Sequence, residues 1–250
     1  MTEETSFDRF LGGRLTVEQP RQGYRAGADP VFLAAATDAQ TGQRVLELGA
    51  GSGVALLCLA SRVPGLDLTG VEKDFRAADR ARKNAISNGH DLRVITADLT
   101  ELPVALRQET FDHVITNPPF FDREQGSPSE DASREAGRGE DTPLEVWLDV
   151  AIRRLSPGGI LTAIWPAGRL PDLIRALDRR VGGVDLKPLA PREGRKAELC
   201  LIRARKGSKA PSRLLSPLIL HDGTRHERDG DSYSAAAKAI LKDGKPLEWS

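Results

Sequence analysis

Apolar positions along this chain fall into short β-branched or aliphatic runs separated by longer stretches with helical spacing. The runs at 44–48, 66–71, 92–96, 111–116 and 160–165 are bounded by Gly, Pro, Asn or Asp. Continuous apolar runs of that length predict strands buried on both faces. Between and before them, 31–36, 54–60, 74–88, 144–155 and 170–181 read as helices. Asp29 fits an N-cap with Pro30 at the first helical position, and Asn88-Gly89 fits a helix stop. Near the start, Phe10-Leu11-Gly12-Gly13-Arg14-Leu15 reads as a turn between short strands. Pro157-Gly158-Gly159 reads as a turn before the fifth run. Further strand-like runs at 197–203 and 214–220 and a short helical stretch at 234–241 complete the pattern. Strands alternating with helices at this spacing predict an α/β fold with a parallel sheet covered by helices on both sides. A chain of 250 residues buries a full core, and without internal repeat or linker it reads as a single domain.

Composition narrows little. The 36 basic and 36 acidic side chains cancel, so a charged partner has to be sought in local clusters. Cys58 and Cys200 sit far apart in apolar runs and read as small buried hydrophobes. The four histidines, His90, His113, His221 and His226, show no metal spacing, and no metal is expected. No apolar run approaches a membrane span, so a soluble, cytoplasmic protein is expected. Residues 122–142 lose all periodicity and hold seven acidic and three basic side chains. A loop of that length beside a strand end reads as a lid, a partner-binding segment or a disordered stretch.

The candidate chemistry lies where strands end. After the run at 44–48 comes Glu47-Leu48-Gly49-Ala50-Gly51-Ser52-Gly53. The dinucleotide fingerprint G-x-G-x-x-G needs glycine at position 54, which is Val54 here. Glycines allow close backbone approach, and a helix N-terminus favours a carboxylate. Glu47 would repel a pyrophosphate and suits the α-ammonium of an amino acid. Together these features fit S-adenosylmethionine better than a nicotinamide dinucleotide. Glu72, ending the second strand, can accept both ribose hydroxyls, and Asp98, after the third, can accept from the adenine amine. Each acid alone reads as a solvated strand end; three at successive strand ends beside this loop favour a cofactor site. The fourth run stops at Asn117-Pro118-Pro119-Phe120-Phe121. Prolines cannot continue a central strand and push the residue before them into extended geometry. Asn117 is thereby held at the strand mouth, where its amide and the next carbonyl can receive a planar amine; taken in isolation, a polar turn after a strand is an equal reading. Phe120 offers a stacking face, and Phe121 either adds to it or belongs to the core.

With these pieces in place, the sequence resembles class I S-adenosylmethionine-dependent methyltransferases, and Asn117-Pro118-Pro119-Phe120 resembles the motif of those that methylate planar amino nitrogens. The resemblance implies a Rossmann-like fold, a seven-stranded mostly parallel sheet with a reversed last hairpin. It also implies Asn117, Pro118, Pro119 and Phe120 as the catalytic clamp on the amine. Across roughly residues 10–241 the chain looks like the bacterial family that methylates N6 of adenine 37 in valine-1 tRNA. The matching pieces include Gly23-Tyr24-Arg25-Ala26-Gly27-Ala28-Asp29, Arg134-Glu135-Ala136, Leu144 with Trp147, Leu218-Ile219-Leu220-His221 and Tyr233-Ser234. The implied cofactor residues are Arg25, Gly27, Asp29, Glu47, Gly49, Gly51, Gly53, Glu72, Asp98 and Asn117. Residues 1–40 would form an N-terminal segment with a cofactor-covering loop and helix, and 41–250 the methyltransferase domain.

Local charge points to the polymer. From Lys187 to Arg213 nine basic residues stand against Glu193 and Glu198, a footprint suited to phosphates. Arg192, Arg195, Lys196, Arg203, Arg205 and Lys206 are its candidate RNA contacts; for any one of them a solvated strand edge is an equal reading. An aromatic content of 5% argues against a broad stacking platform and for a single flipped base. The expected activity is N6-methylation of an adenine in RNA, with tRNA as partner. Alternatives are N5-methylation of a protein glutamine, methylation of DNA adenine or ribosomal guanine, and a non-catalytic RNA-binding scaffold that kept the fold.

Overall fold

The computed structural model of the chain describes residues 4–119, 142–223 and 232–250; Phe120, Phe121 and the acidic stretch as far as residue 141 lie outside them. The chain opens with a hairpin, β1 (Thr5–Phe10) and β2 (Leu15–Pro20), joined by a 3-10 turn at Leu11–Gly13. Helix α1 (Asp29–Ala36) follows. Ala28 is its cap residue and Asp29 is already helical, so Asp29 does not cap the helix. The run Val31 to Ala36 is buried throughout, and burying it fixes where the helix starts.

The main sheet comprises β3 (Arg44–Leu48), β4 (Asp67–Glu72), β5 (Arg93–Thr96), β6 (Phe111–Thr116), β7 (Leu155–Pro166), β8 (Val181–Ala190) and β9 (Leu199–Lys206), in the order β8-β9-β7-β6-β3-β4-β5. All run parallel except β9, which is antiparallel to both its neighbours. Two short strands, β10 (Arg213–Leu214) and β11 (Leu218–Ile219), both add to the outer side of β8. The expected seven-stranded arrangement with a reversed hairpin is present, extended by these two.

Helices α2 (Val54–Arg62), α3 (Phe75–Ser87), α4 (Val104–Gln108), α5 (Leu144–Arg154), α6 (Leu170–Ala176) and α7 (Ala235–Leu241) complete the fold. One core cluster joins α1, α2, α7 and the hairpin to Val45, Ile115, Ile164 and Leu201 of the sheet. The other joins α5, Leu106 and Leu173 to Leu46, Leu48, Val114, Leu161 and Ile202. Adjacent residues of one strand fall in opposite clusters, as the two-residue period requires.

Three expectations are corrected. The helix expected at 170–181 ends at Ala176, and Val181 opens β8. That strand is poor in strand formers but sits between β9 and the two short strands. Its Pro188 lies between the residues paired to β10 and those paired to β11, so its missing N–H interrupts no ladder. The strand expected at 214–220 is split into β10 and β11 by Leu215-Ser216-Pro217. Finally, Pro157-Gly158-Gly159 is a bulge inside β7. Leu155 pairs with Phe111 and Ile160 with His113.

Candidate active site

Chain order leaves β3 through β4 to β5, then returns to β6 on the other flank of β3. The carboxyl ends of β3 and β6 therefore border a topological switch point, where open α/β sheets bind ligands. Leu48 pairs with Thr116 across this border, and Thr116 Oγ1 donates to Leu48 O at 3.0 Å. The next residues are Gly49 on one strand and Asn117 on the other. The glycine loop and the Asn-Pro-Pro motif thus start side by side.

Gly49 and Ala50 both donate their N–H to Val71 O at 2.9 Å, which turns the chain sharply off β3. A Cβ on Gly49 would stand 2.7 Å from the Trp147 ring, and its φ of +73° is left-handed. The loop needs glycine there for both reasons. A Cβ on Gly51 would meet nothing within 4 Å, so Gly51 faces open space. Gly51 N donates to Glu72 Oε2 at 2.8 Å, and Asp74 N donates to Glu72 Oε1 at 2.8 Å. Each carboxylate oxygen keeps a lone pair for a further donor. Burial raises the Glu72 carboxyl above its ordinary range.

Glu47 points to the α2 side of the sheet and is 3% exposed. The Leu56 N–H in the first turn of α2 offsets part of the burial of its carboxyl, while its Oε2 has no hydrogen-bond partner among the described residues. Burial holds its carboxyl well above the usual range, and the charge of Glu72 adds to the effect. An ammonium group beside Oε2 would reverse that. Asn117 Oδ1 and Trp147 Nε1 are likewise buried without a partner among the described residues. An unpaired buried polar atom is costly. Among the described residues Thr69, His113 and Thr162 also carry one, and what sets Glu47 and Asn117 apart is their place at the adjoining strand ends of the switch point. The orphaned Glu47 oxygen, the open face at Gly51 and the lone pairs of Glu72 suit the ammonium, main chain and ribose of S-adenosylmethionine.

Not every expected residue is free for a ligand. Asp98 accepts from Thr100 N and Oγ1 and pairs with Lys73 at 2.8 Å. These partners hold its carboxyl down at about 2, and an adenine amine would share Oδ2 with Lys73. Arg25 is committed to the hairpin, donating to Ser6 Oγ, Pro20 O and Asp8 Oδ2. Gly27 has open space beside its Cα. Asp29 lies in the first turn of α1 with its carboxyl raised by burial. Gly53 begins α2 against Ala81 of α3. Phe120 lies outside the described residues. His113 is buried and bonded to Gln43 Oε1 through Nε2.

The basic stretch does not form one patch. The turn after β8 carries Arg192, Arg195 and Lys196 at the same sheet edge as Asn117, because β8 runs parallel to β6 and β7. Antiparallel β9 then carries the chain back, pairing Arg205 with Ile160 near the opposite edge. Arg205 donates to Gly158 O and Lys206 to Leu155 O. Arg203 pairs with the buried Asp185 at 2.8 Å and lies over Trp249. Arg192 holds Asp222 O, Gly223 O and Ser232 Oγ.

Residues 28–133 match the family model of the methyltransferase small domain. Over 175 residues the chain is 36% identical to the tRNA1(Val) (adenine(37)-N6)-methyltransferase of Porphyromonas gingivalis, covering 66% of this chain and 68% of the relative. This chain belongs to the class I S-adenosylmethionine-dependent methyltransferases. The methyltransferase is also 27% identical to the enzyme of the same name from Dickeya chrysanthemi over 94% of its length and 92% of the relative's. The crystal structure of a predicted O-methyltransferase from Agrobacterium tumefaciens superposes with a TM-score of 0.69 at 26% identity. That superposition covers 88% of this chain and 98% of the other.

The sequence reading missed two buried polar residues, Asn84, which bonds the hairpin and the glycine loop, and Gln19 of β2, which bonds Asp8 and Ala26. Two asparagines four apart on a helix otherwise rich in Ala, Arg and Lys were the available signal, since asparagine is a weak helix former.

Proposed function

We propose that this methyltransferase modifies N6 of an adenine in RNA, and that the RNA is tRNA with adenine 37 of the valine-1 type as its target. The observation carrying the reading is the buried Asn117 Oδ1, without a hydrogen-bond partner among the described residues, at the switch point, one residue beyond the strand pair that also starts the glycine loop. The relatives named for this reaction support adenine 37 as the nucleotide. S-adenosylmethionine, when bound, supplies a methyl group on a sulfonium. The residues that would hold it are Glu47 at the ammonium, Gly49, Gly51 and Gly53 along the loop, and Glu72 at the ribose. Gly27 and Asp29 would stand on the covering side, with Arg25 bracing that segment.

An exocyclic adenine amine is a weak nucleophile because its lone pair is delocalised into the ring. Asn117 Oδ1 accepts one amine hydrogen and the Pro118 carbonyl the other, which favours a pyramidal nitrogen with its lone pair free. Pro118 and Pro119 fix the backbone that aims both oxygens, and Phe120, next in sequence, is assigned the stacking face. Orienting reactants in this way is worth up to about 7–11 kcal/mol, and no strong general base is required.

The purified protein is expected to transfer labelled methyl from S-adenosylmethionine to bulk tRNA that lacks the modification, and digestion with mass spectrometry to find N6-methyladenosine. Asn117→Ala should abolish transfer while S-adenosylhomocysteine still binds, because Glu47, Glu72 and the glycine loop, which would hold most of the cofactor, are unchanged. Labelling of a protein fraction in place of RNA would refute the substrate assignment and favour glutamine methylation.

A further inference from the structure

We infer that Asn84 and Gln19 are positioning residues that lock the two walls of the cofactor site to one another through strand β2. The walls are the glycine loop at 49–53 and the covering segment at 25–29. Asn84 is 2% exposed and Gln19 is 1% exposed. Asn84 Oδ1 accepts from Glu18 N at 2.8 Å, and its Nδ2 donates to Glu18 O at 3.1 Å and to Ser52 O at 3.0 Å. One carboxamide thus closes a two-way clamp on β2 and reaches the glycine loop with its remaining hydrogen.

The next residue of β2 repeats the device in the other direction. Gln19 Oε1 accepts from Ala26 N at 2.7 Å, and its Nε2 donates to Ala26 O at 3.1 Å and to Asp8 Oδ2 at 2.7 Å. Asp8 in turn holds Arg25 at 2.5 Å. The path from Ser52 to Ala26 therefore runs through Asn84, the Glu18-Gln19 backbone and Gln19, with every amide hydrogen satisfied. Asn88 makes a matching clamp on Thr16, accepting from its N at 3.0 Å and donating to its O at 2.8 Å. Four helical residues rise about 6 Å and two strand residues about 7 Å, so the two clamps fit the alternate positions Thr16 and Glu18 of β2. Asn88, however, reaches no part of the glycine loop.

Buried carboxamides that use every donor and acceptor hold one geometry and resist a second. Their effect here is to preset the gap that the methionine end of the cofactor enters, which lowers the cost of binding. The inference rests on the cofactor assignment and not on the RNA substrate, so a failure of tRNA methylation would leave it standing.

The test measures S-adenosylhomocysteine affinity by calorimetry, kcat and KM for S-adenosylmethionine, melting temperature, and tryptic cleavage after Arg21 or Arg25 without ligand. Asn84→Ala and Gln19→Met, the latter keeping chain length and burial, should each weaken the ligand about tenfold. The loss should appear in KM with kcat at saturation kept, and cleavage should quicken. Because the clamps act in series, the double variant should also lose about tenfold and not a hundredfold. Asn88→Ala, which removes as much of the β2 clamping, should leave affinity unchanged. An unchanged Kd in Gln19→Met, multiplicative losses, or an equal loss in Asn88→Ala would overturn the inference.

Discussion

Glu47 is enclosed by the sheet and α2, and its free oxygen faces no cation among the described residues. Burial, helped by Glu72, raises its carboxyl well above the ordinary range. Without ligand the native state therefore keeps a proton that the unfolded chain releases. The sign follows: this carboxyl favours the fold below its unfolded pKa, and the benefit fades as pH rises through the native pKa. Each factor of ten in proton affinity is worth about 1.4 kcal/mol. Glu47→Gln removes the titration and keeps the shape. Melting curves between pH 5 and 8 should show the ligand-free wild type losing stability with pH relative to Glu47→Gln. The burial effect on Glu72 is common to both proteins, while its coupling to Glu47 disappears together with the Glu47 titration, so the difference reports the Glu47 carboxyl and that coupling. With S-adenosylhomocysteine the order should invert at pH 8, since an ammonium paired to Glu47 favours the carboxylate. Parallel pH curves for the two proteins would show that Glu47 ionises freely and is not the ammonium site.

Among the elements, β8 shows where local pattern stops informing. The central strands were legible because each buries both faces and reads as a continuous apolar run, and Glu72, Asn117 and the glycine loop stood out by terminating such runs. Strand β8 carries Gly182, Gly183, Asp185, Lys187 and Pro188, none a good strand former. What makes it a strand is pairing to β9 on one side and to the short strands on the other. Of the carboxamide clamps only the pair of asparagines four apart was legible, and not what it holds, for a related reason. A lone Gln or Asn in an amphipathic pattern says nothing of the distant backbone it will hold. The bulge that opens β8 brings Gly182 against the chain leaving β9, where a Cβ would lie 2.3 Å from Ser208 O. That neighbour is backbone and cannot swing aside. Gly182→Ala should therefore cost about 1–3 kcal/mol in denaturant unfolding. Cofactor affinity should hold, because this end of the sheet is opposite the site. An unaltered midpoint would mean that the β8–β9 bulge relaxes freely.

At the scale of the whole molecule, the proposed reaction requires a chain with no formal net charge to bring RNA to one edge of its sheet. The folding of β9 antiparallel to β8 decides which basic residues can help. It leaves Arg195 and Lys196 exposed in the turn at the Asn117 edge and takes Arg205 and Lys206 to the far edge, where both bond main-chain oxygens. Arg203 is neutralised by Asp185, so linear clustering from 187 to 213 overstates the phosphate-facing charge. Removing one phosphate-binding cation should lower the slope of log affinity against log salt by about 0.7 for single-stranded RNA. A double Arg195→Ala, Lys196→Ala variant should bind tRNA more weakly at low salt and with a shallower slope, while Arg205→Ala should alter stability and leave the slope as it was. Titrations at several salt concentrations, with catalytic turnover on saturating tRNA as a second readout, distinguish the outcomes. Turnover should be kept in both variants, because neither touches Asn117 or the glycine loop. A slope that responds to Arg205 and ignores Arg195 and Lys196 would route the RNA across the opposite edge, and adenine could then reach Asn117 only around a flank of the sheet, past β5 or past β8 and its two short strands.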